Sequence, residues 1–464
     1  MRRCLLFLVA VLLAAPLGAL PPDEGHALIR TLMTGKPGEK TSAAKKLTAA
    51  KDLSLVPAMV DALFFTPSAQ REPLLQVLRT LTGEDPGSRY YDWVELVGRR
   101  SDLRGGAGYL EWKASLLVKI DPGYRKIFTS GFPPRIAVEE IVWGGVPIDG
   151  IPALEEPPRV AAAEGGFLSD EEKVFGVAAG GAHHAWPVRY LSWHEMVNDT
   201  VGAEPLTLSY CTLCGTAIAV SGRSPAGGRW TFGTSGLLYR SNKLMIDRQT
   251  GTLWNQLTGE PVLGPLTEKP VRLEPVAVTV TTWGAWRRAH PDTTVTQLDA
   301  SFGASWGYDY RPGAADQRRR GVSFPVWQKS RALPAQEEIY GLRLGAKTKA
   351  WPLAALLRDR LVHDRLGDVD LLLVGDPASG AVRVYRRDGR TFQAGAAPAE
   401  LRDETGRTWA LTEEQLVPAG EGTAPLPRLP GVVAFWFGWY GFHPETEVGT
   451  SAGAALGGAA PALR

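Results

Sequence analysis

Apolar side chains recur at helical spacing over the first hundred residues. The series runs Leu28, Ile29, Leu32, then Leu47, then Val56, Met59, Val60, Leu63, and again Leu74, Leu75, Val77, Leu78, Leu81. The spacing predicts short helices over 23–98, with Pro57 and Pro73 placed where proline opens a helix. Short helix pairs of this kind are HEAT-like, and two units at most are visible. Over 93–166 the period is lost. Glycine and proline are frequent, and extended runs are predicted at 116–120 and 136–141. The stretch 143–152, WGGVPIDGIP, reads as an ordered lead-in loop because its Ile, Val and Trp argue against disorder.

Further on the period becomes two. Leu206, Leu208 and Tyr210 alternate with Thr207, Ser209 and Cys211; Cys-Thr-Leu-Cys-Gly follows, then an apolar run over 217–220. The pattern predicts a β-hairpin whose tight turn carries Cys211 and Cys214, with Gly215 supplying the turn backbone. A helix is expected from Pro187 towards Asn198, and further strands at 229–233, 243–247 and 276–282.

The pattern then repeats. VFGV at 174–177 and AWPV at 185–188 return as IYGL at 339–342 and AWPL at 350–353. In the same order NDTVG (198–202) answers HDRLG (363–367), and TGTLW (250–254) answers TGRTW (405–409). Trp283, Trp286, His290, Pro291 and Thr293 answer Trp436, Trp439, His443, Pro444 and Thr446. The expected fold class is therefore α+β: an N-terminal α-helical, HEAT-like region, then two duplicated, mostly antiparallel β modules, each with a short packed helix. Expected divisions are a signal peptide (1–20), the helical region (21–115), the lead-in with the first module (116–300), and a second, degenerate module with the C-terminal tail (301–464).

The repeat sorts framework from chemistry. An ungapped register sets Cys211 against Asp376, Cys214 against Ser379 and His194 against Asp359, while Gly215 meets Gly380. Tryptophans and the turn glycine occur in both halves and read as framework. Thiols and His194 occur only in the first and are the functional candidates. His194 lies one turn beyond Leu191 on one helical face, leading into the cysteine strand, and Glu195 is placed to orient an imidazole.

Composition narrows the setting. With 464 residues, 44% hydrophobic and 22% charged, the chain is globular, and its net charge of +2 advertises no nucleic-acid partner. The basic run Arg318–Arg320 lacks interleaved aromatics and reads as a solvated loop. Residues 1–20 have a basic start, an apolar stretch and small residues, which predicts export to the periplasm or another extracytoplasmic space. Membrane attachment follows only if that segment stays uncleaved. The mature chain would keep two cysteines, one turn apart, where loop closure stabilises little. Chemistry or metal is their expected role.

At these residues the chain resembles a known bacterial family. YCTLCGTA, the run 232–264 (FGTSGLLYRSNKLMIDRQTGTLWNQLTGEPVLG), WHEMVND and FWFGWYGFHPET are similar to the domain of unknown function 3179, over residues 128–448. The label implies no activity. Thr212 stands where that pattern has proline, Trp186 where it has tyrosine, and His290 and His443 where it has an aromatic. The cysteine pair, His194, Glu195, Asp247, Trp254 and Gln256 match. Ser241, Asn242, Asp247 and Arg248 line a polar pocket or simply bond a turn.

Three functions are weighed. The first is an exported thiolate metal site: Cys211 and Cys214 with His194 as third ligand, favouring Cu(I) over Zn(II), for copper handling or metal-assisted redox chemistry. Met245 is a weak extra ligand and His443 a reserve one; a closed zinc site would need four ligands. The second is thiol–disulfide exchange, although the pair follows a strand and not a helix N-terminus. The third is a non-catalytic binding or scaffold protein whose helical region docks another exported protein. No nucleotide cofactor is expected, since the chain has no phosphate loop, and it has neither a nucleophile elbow nor a Ser/His/Asp set.

Overall fold

The computed structural model describes residues 20–225, 227–311 and 321–449. All but the last residue of the expected signal segment, the basic run at 318–320 and the tail from 450 lie outside them. Among the described residues no helix is long and apolar enough to cross a membrane. Contacts divide the chain into two compact units, residues 1–119 and 120–464.

The first unit is helical. Helices span Pro22–Thr34, Pro37–Ala50, Val56–Phe64, Glu72–Thr82, Tyr90–Arg99 and Tyr109–Leu117. Four of them carry proline in the first two positions, where no intrahelical N–H is lost. Their apolar stripes meet in a core that includes Ile29, Leu32, Met59, Leu63, Leu78, Trp93 and Trp112. One ion pair is buried with them: Lys113 Nζ lies 2.8 Å from Asp61, which also accepts a bond from the Tyr109 hydroxyl. The run 116–120, expected to be extended, closes the last helix instead, because Tyr109, Trp112, Lys113 and Leu116 share its buried face.

The second unit is built of mostly antiparallel strands. One five-stranded sheet joins Ile141–Trp143, Phe232–Tyr239, Asn242–Asp247, Leu253–Asn255 and Pro261–Leu263. Another holds the cysteine hairpin, Glu204–Cys211 with Thr216–Ser221, beside Met196–Val201. The run 136–141 forms a short 3₁₀ turn, Val138–Glu140, before its strand. The strand expected at 229–233 instead spans Phe232–Tyr239; its centre, Gly-Thr-Ser-Gly, shows no apolar alternation although it is largely buried. The helix expected to run towards Asn198 is Val188–His194, and Glu195 in the left-handed region (φ +57°) turns the chain into a strand.

Two stretches share an element order. A hairpin (Lys173–Ala179, Ala182–Pro187), a helix (Val188–His194) and three antiparallel strands form the first. Glu338–Leu344, Lys347–Pro352, Leu353–Asp359 and three antiparallel strands form the second. The second continues into a barrel-like eight-stranded sheet, whose end strands approach where the Phe392 N–H donates to His363 Nε2 at 2.8 Å. Buried tryptophans are pinned alike in both. Trp186 donates to Asp199 (3.0 Å) and Trp351 to Asp364 (2.7 Å). Trp254 donates to Asp247 (2.7 Å) and Trp409 to Asp403 (3.0 Å). Trp286 donates to Thr293 and Trp439 to Thr446. The stretches are not packed independently: one core combines Met196, Ile218 and Trp254 with Ile339, Trp436 and Trp439.

Candidate functional site

The cysteine hairpin pairs Cys211 with Thr216, and the four residues between leave its tip half-exposed only at Leu213 and Gly215. Gly215 has φ +62°, a conformation glycine adopts without strain, and this reversal places both sulfurs on one side. The Sγ atoms stand 2.7 Å apart, against about 2.05 Å for an S–S bond, and both thiols are free. They are buried, 1% and 0% exposed, beneath Leu213, Val326, Phe435 and Phe437.

The cover comes from far along the chain. The Phe435 N–H donates to the Cys214 carbonyl at 2.8 Å, joining the strand Val432–Phe435 to the hairpin. The helix Trp436–Tyr440 then passes so close that a Cβ on Gly438 would lie 2.6 Å from Cys214 Cβ. Gly438→Ala is accordingly expected to cost about 1–3 kcal/mol by overpacking. Urea denaturation checks it: an unchanged midpoint would mean the helix does not press on the thiol.

Polar groups approach the sulfurs from the hairpin Phe232–Tyr239/Asn242–Asp247. Its turn residues Arg240 and Ser241 both have positive φ, +49° and +60°, the backbone of a two-residue hairpin turn without its usual glycine. Arg240 is clamped by Glu140 (2.9 Å), Gln328 (2.9 Å) and the Gly441 carbonyl (2.8 Å). The turn delivers Asn242, whose Nδ2 donates to Cys214 Sγ at 3.1 Å and to Gln256 Oε1 at 2.8 Å. Gln256 in turn donates to Ser209 and to the Thr216 carbonyl, tying the amide to both strands of the cysteine hairpin. Next along, buried Lys243 reaches Glu195 Oε2 at 2.7 Å and the Glu195 carbonyl at 3.2 Å. The Thr212 hydroxyl donates to the other Glu195 oxygen at 3.1 Å.

These neighbours split the two thiols electrostatically. Burial pushes Cys211 up, but the hydrogen bond with Cys214 and the Lys243 ammonium outweigh it, and the net shift is down. Cys214 is pushed well up, first by burial and then by its partner's developing charge. Cys211 is thereby the more acidic of the two thiols.

Of the residues singled out from sequence, Cys211, Cys214, Glu195, Ser241, Asn242 and Gln256 belong to this arrangement. His194 does not join it as a third ligand. Its Nδ1 lies 2.8 Å from the Pro152 carbonyl and its Nε2 bonds the Tyr310 hydroxyl, so both nitrogens are committed. Phe302, Tyr308 and Tyr310 surround the ring. Asp247 bonds Thr250 and Trp254 within its own turn, and Met245 packs among Met196, Ile218 and Trp254 in the core. His443 packs against Trp439, ring centroids 4.4 Å apart and the planes tilted by 55°. Among the described residues no group of three or more His, Cys, Asp or Glu is arranged to hold a metal ion.

Lys243 was not singled out from sequence, although a lysine inside the apolar run 243–247 is itself a signal, since lysines are rarely buried unpaired. Phe435, Phe437 and Gly438 carry a signal too, in FWFGWYGFHPET, but nothing in that run says which surface it covers. Val326 carries none. A family model described as "Protein of unknown function (DUF3179)" matches residues 148–446, which includes the hairpin, the Asn242–Lys243 strand and the covering helix. Comparison with curated proteins and with solved structures returned no match. A match over more than half its length, carrying every part of the thiol site but Glu140, makes this chain a member of the DUF3179 family.

Proposed function

We propose that Cys211 and Cys214 form a reversible dithiol–disulfide centre in an exported protein. The observation that carries this reading is the pair of free sulfurs 2.7 Å apart, one under the charge of the Lys243 ammonium and one hydrogen-bonded by an amide. Closing the bond needs a movement of well under 1 Å. Oxidation removes a proton and an electron from each thiol and forms the S–S bond; a dithiol reductant reverses it, becoming a disulfide itself. We further infer that the two stretches of like element order descend from one duplicated module, of which the second has lost its thiols.

A second reading, a thiolate site for Cu(I) in preference to Zn(II), draws on the same sulfurs. The donor set fits it poorly: His194 is committed elsewhere, and two sulfurs in near contact would have to part to admit an ion between them.

One experiment separates the readings. Wild type and Cys211→Ser are purified from the exported fraction and measured for bound metal. Each is then equilibrated in redox buffers and its intact mass recorded. The dithiol reading expects a two-hydrogen mass loss in oxidised wild type, reversed by dithiothreitol and absent from the variant. Stoichiometric copper lost in Cys211→Ser, with no disulfide at any poise, would overturn it.

The role of Lys243 is tested by pH. With the ammonium removed in Lys243→Met/Glu195→Gln, which leaves no lone buried charge, the thiolate form of Cys211 should appear at higher pH. The oxidation rate at neutral pH should then fall about tenfold for each unit by which its profile moves. A profile that stays in place would show that the Lys243–Glu195 pair exerts no net pull on the thiol.

A further inference from the structure

Resting on the dithiol reading, we propose that the oxidant taken by this centre is a small hydroperoxide, with Cys211 as the sulfur attacked through and Cys214 as the resolving thiol. Three observations carry it: the cover over the sulfurs, the division of roles between them, and unused polar atoms on two residues that contact Cys214.

The cover decides what can enter. Exchange with a protein disulfide passes through a mixed disulfide, in which the partner's sulfur and its chain must lie against Cys211. Val326, Phe435 and Phe437 fill that space, and the residue is 1% exposed. Hydrogen peroxide is little larger than water and needs only a brief opening at the half-exposed tip, Leu213 and Gly215.

The roles follow from position. Cys211 feels the charge of the Lys243 ammonium, and Cys214 waits 2.7 Å away, held by Asn242 Nδ2. Two residues that contact Cys214 Sγ each bury a polar side-chain atom without a hydrogen-bond partner among the described residues: Ser241 Oγ and Asn242 Oδ1. Ser241 is the residue whose carbonyl lies 3.5 Å from Cys214 Sγ. Unmet buried acceptors are costly to a fold, and here they suit the two O–H donors of a peroxide.

The chemistry balances. The Cys211 thiolate attacks one peroxide oxygen; an S–O bond forms, the O–O bond breaks, and the departing hydroxide takes up the proton Cys211 had released, leaving as water. Cys214 sulfur then attacks Cys211 sulfur; the S–S bond forms, the S–O bond breaks, and hydroxide leaves as water with the Cys214 proton. The pair loses two electrons and the peroxide gains them. A small dithiol, oxidised to its own disulfide, restores the thiols.

The test compares oxidants on the full chain, reduced and freed of reductant. Hydrogen peroxide, oxidised glutathione and insulin are supplied separately, and the two-hydrogen mass loss is followed in time. Peroxide is expected to act at least about tenfold faster than either disulfide. With Cys214→Ser, dimedone should label Cys211; with Cys211→Ser it should leave Cys214 unlabelled. Circular dichroism checks that both variants fold, and the wild-type comparison stands without them. Oxidation by either disulfide but not by peroxide would overturn this inference and leave the dithiol reading intact. Failure of all three oxidants would overturn both.

Discussion

Glu413→Ala is expected to destabilise the second unit by about 3–5 kcal/mol, the cost of stranding buried charge. Glu413 Oε1 accepts from Arg383 at 2.5 and 2.9 Å, and Oε2 accepts from Arg428 and from the Thr279 hydroxyl at 2.5 Å. His290 Nε2 lies 3.6 Å away. The cluster ties the strand Thr279–Thr282 to the barrel-like sheet, and Arg428 also donates to the Val278 carbonyl at 3.0 Å. Burial would raise the Glu413 carboxyl, but Arg383 and Arg428 hold it well below its ordinary value. A depressed carboxylate contributes stability above its unfolded value, and that contribution is lost as pH falls towards the folded one. Urea unfolding at neutral pH checks the magnitude. A loss under 1 kcal/mol would mean the two guanidiniums find other partners.

His443 should make the unit acid-sensitive in a higher window. Burial first, and the nearby Arg272 second, press its pKa down to about 4 from an ordinary 6.5. The unfolded chain therefore binds a proton between these values that the folded chain refuses. Stability is full above pH 6.5 and falls as pH drops towards 4, by about 3 kcal/mol in all. His443→Phe keeps an aromatic ring on Trp439 and removes the titration, so its stability should stay flatter over this window. Equal slopes for wild type and variant in pH-resolved urea melts would rule out the histidine as the cause.

Both predictions concern residues whose importance sequence alone does not reveal. Glu413 sits in a polar run, Thr-Glu-Glu-Gln, where surface exposure is the natural expectation. His443 is a reserve ligand by residue type alone; its tilted contact with the Trp439 ring gives it a packing role. His194 makes the same point. Its helical phase does bury it beside the cysteine strand, yet its ring nitrogens meet Pro152 and Tyr310, from segments 42 and 116 residues away. Helical phase tells which face is buried and nothing about what waits there.

What the sequence determined was local. Alternation marked the cysteine hairpin, Gly215 its turn, helical spacing the N-terminal unit, and the Cys-x-x-Cys spacing the adjacency of two sulfurs, because each depends on neighbours in the chain. What only the tertiary structure decided was the environment of those sulfurs: Asn242 and Lys243 from another hairpin, Val326 and the Phe435–Gly438 run from much later. Acidity and access depend on charges and covers within a few ångströms in space, and chain separation does not encode them. A thiol pair was legible; which thiol ionises, and what can reach it, was set by packing.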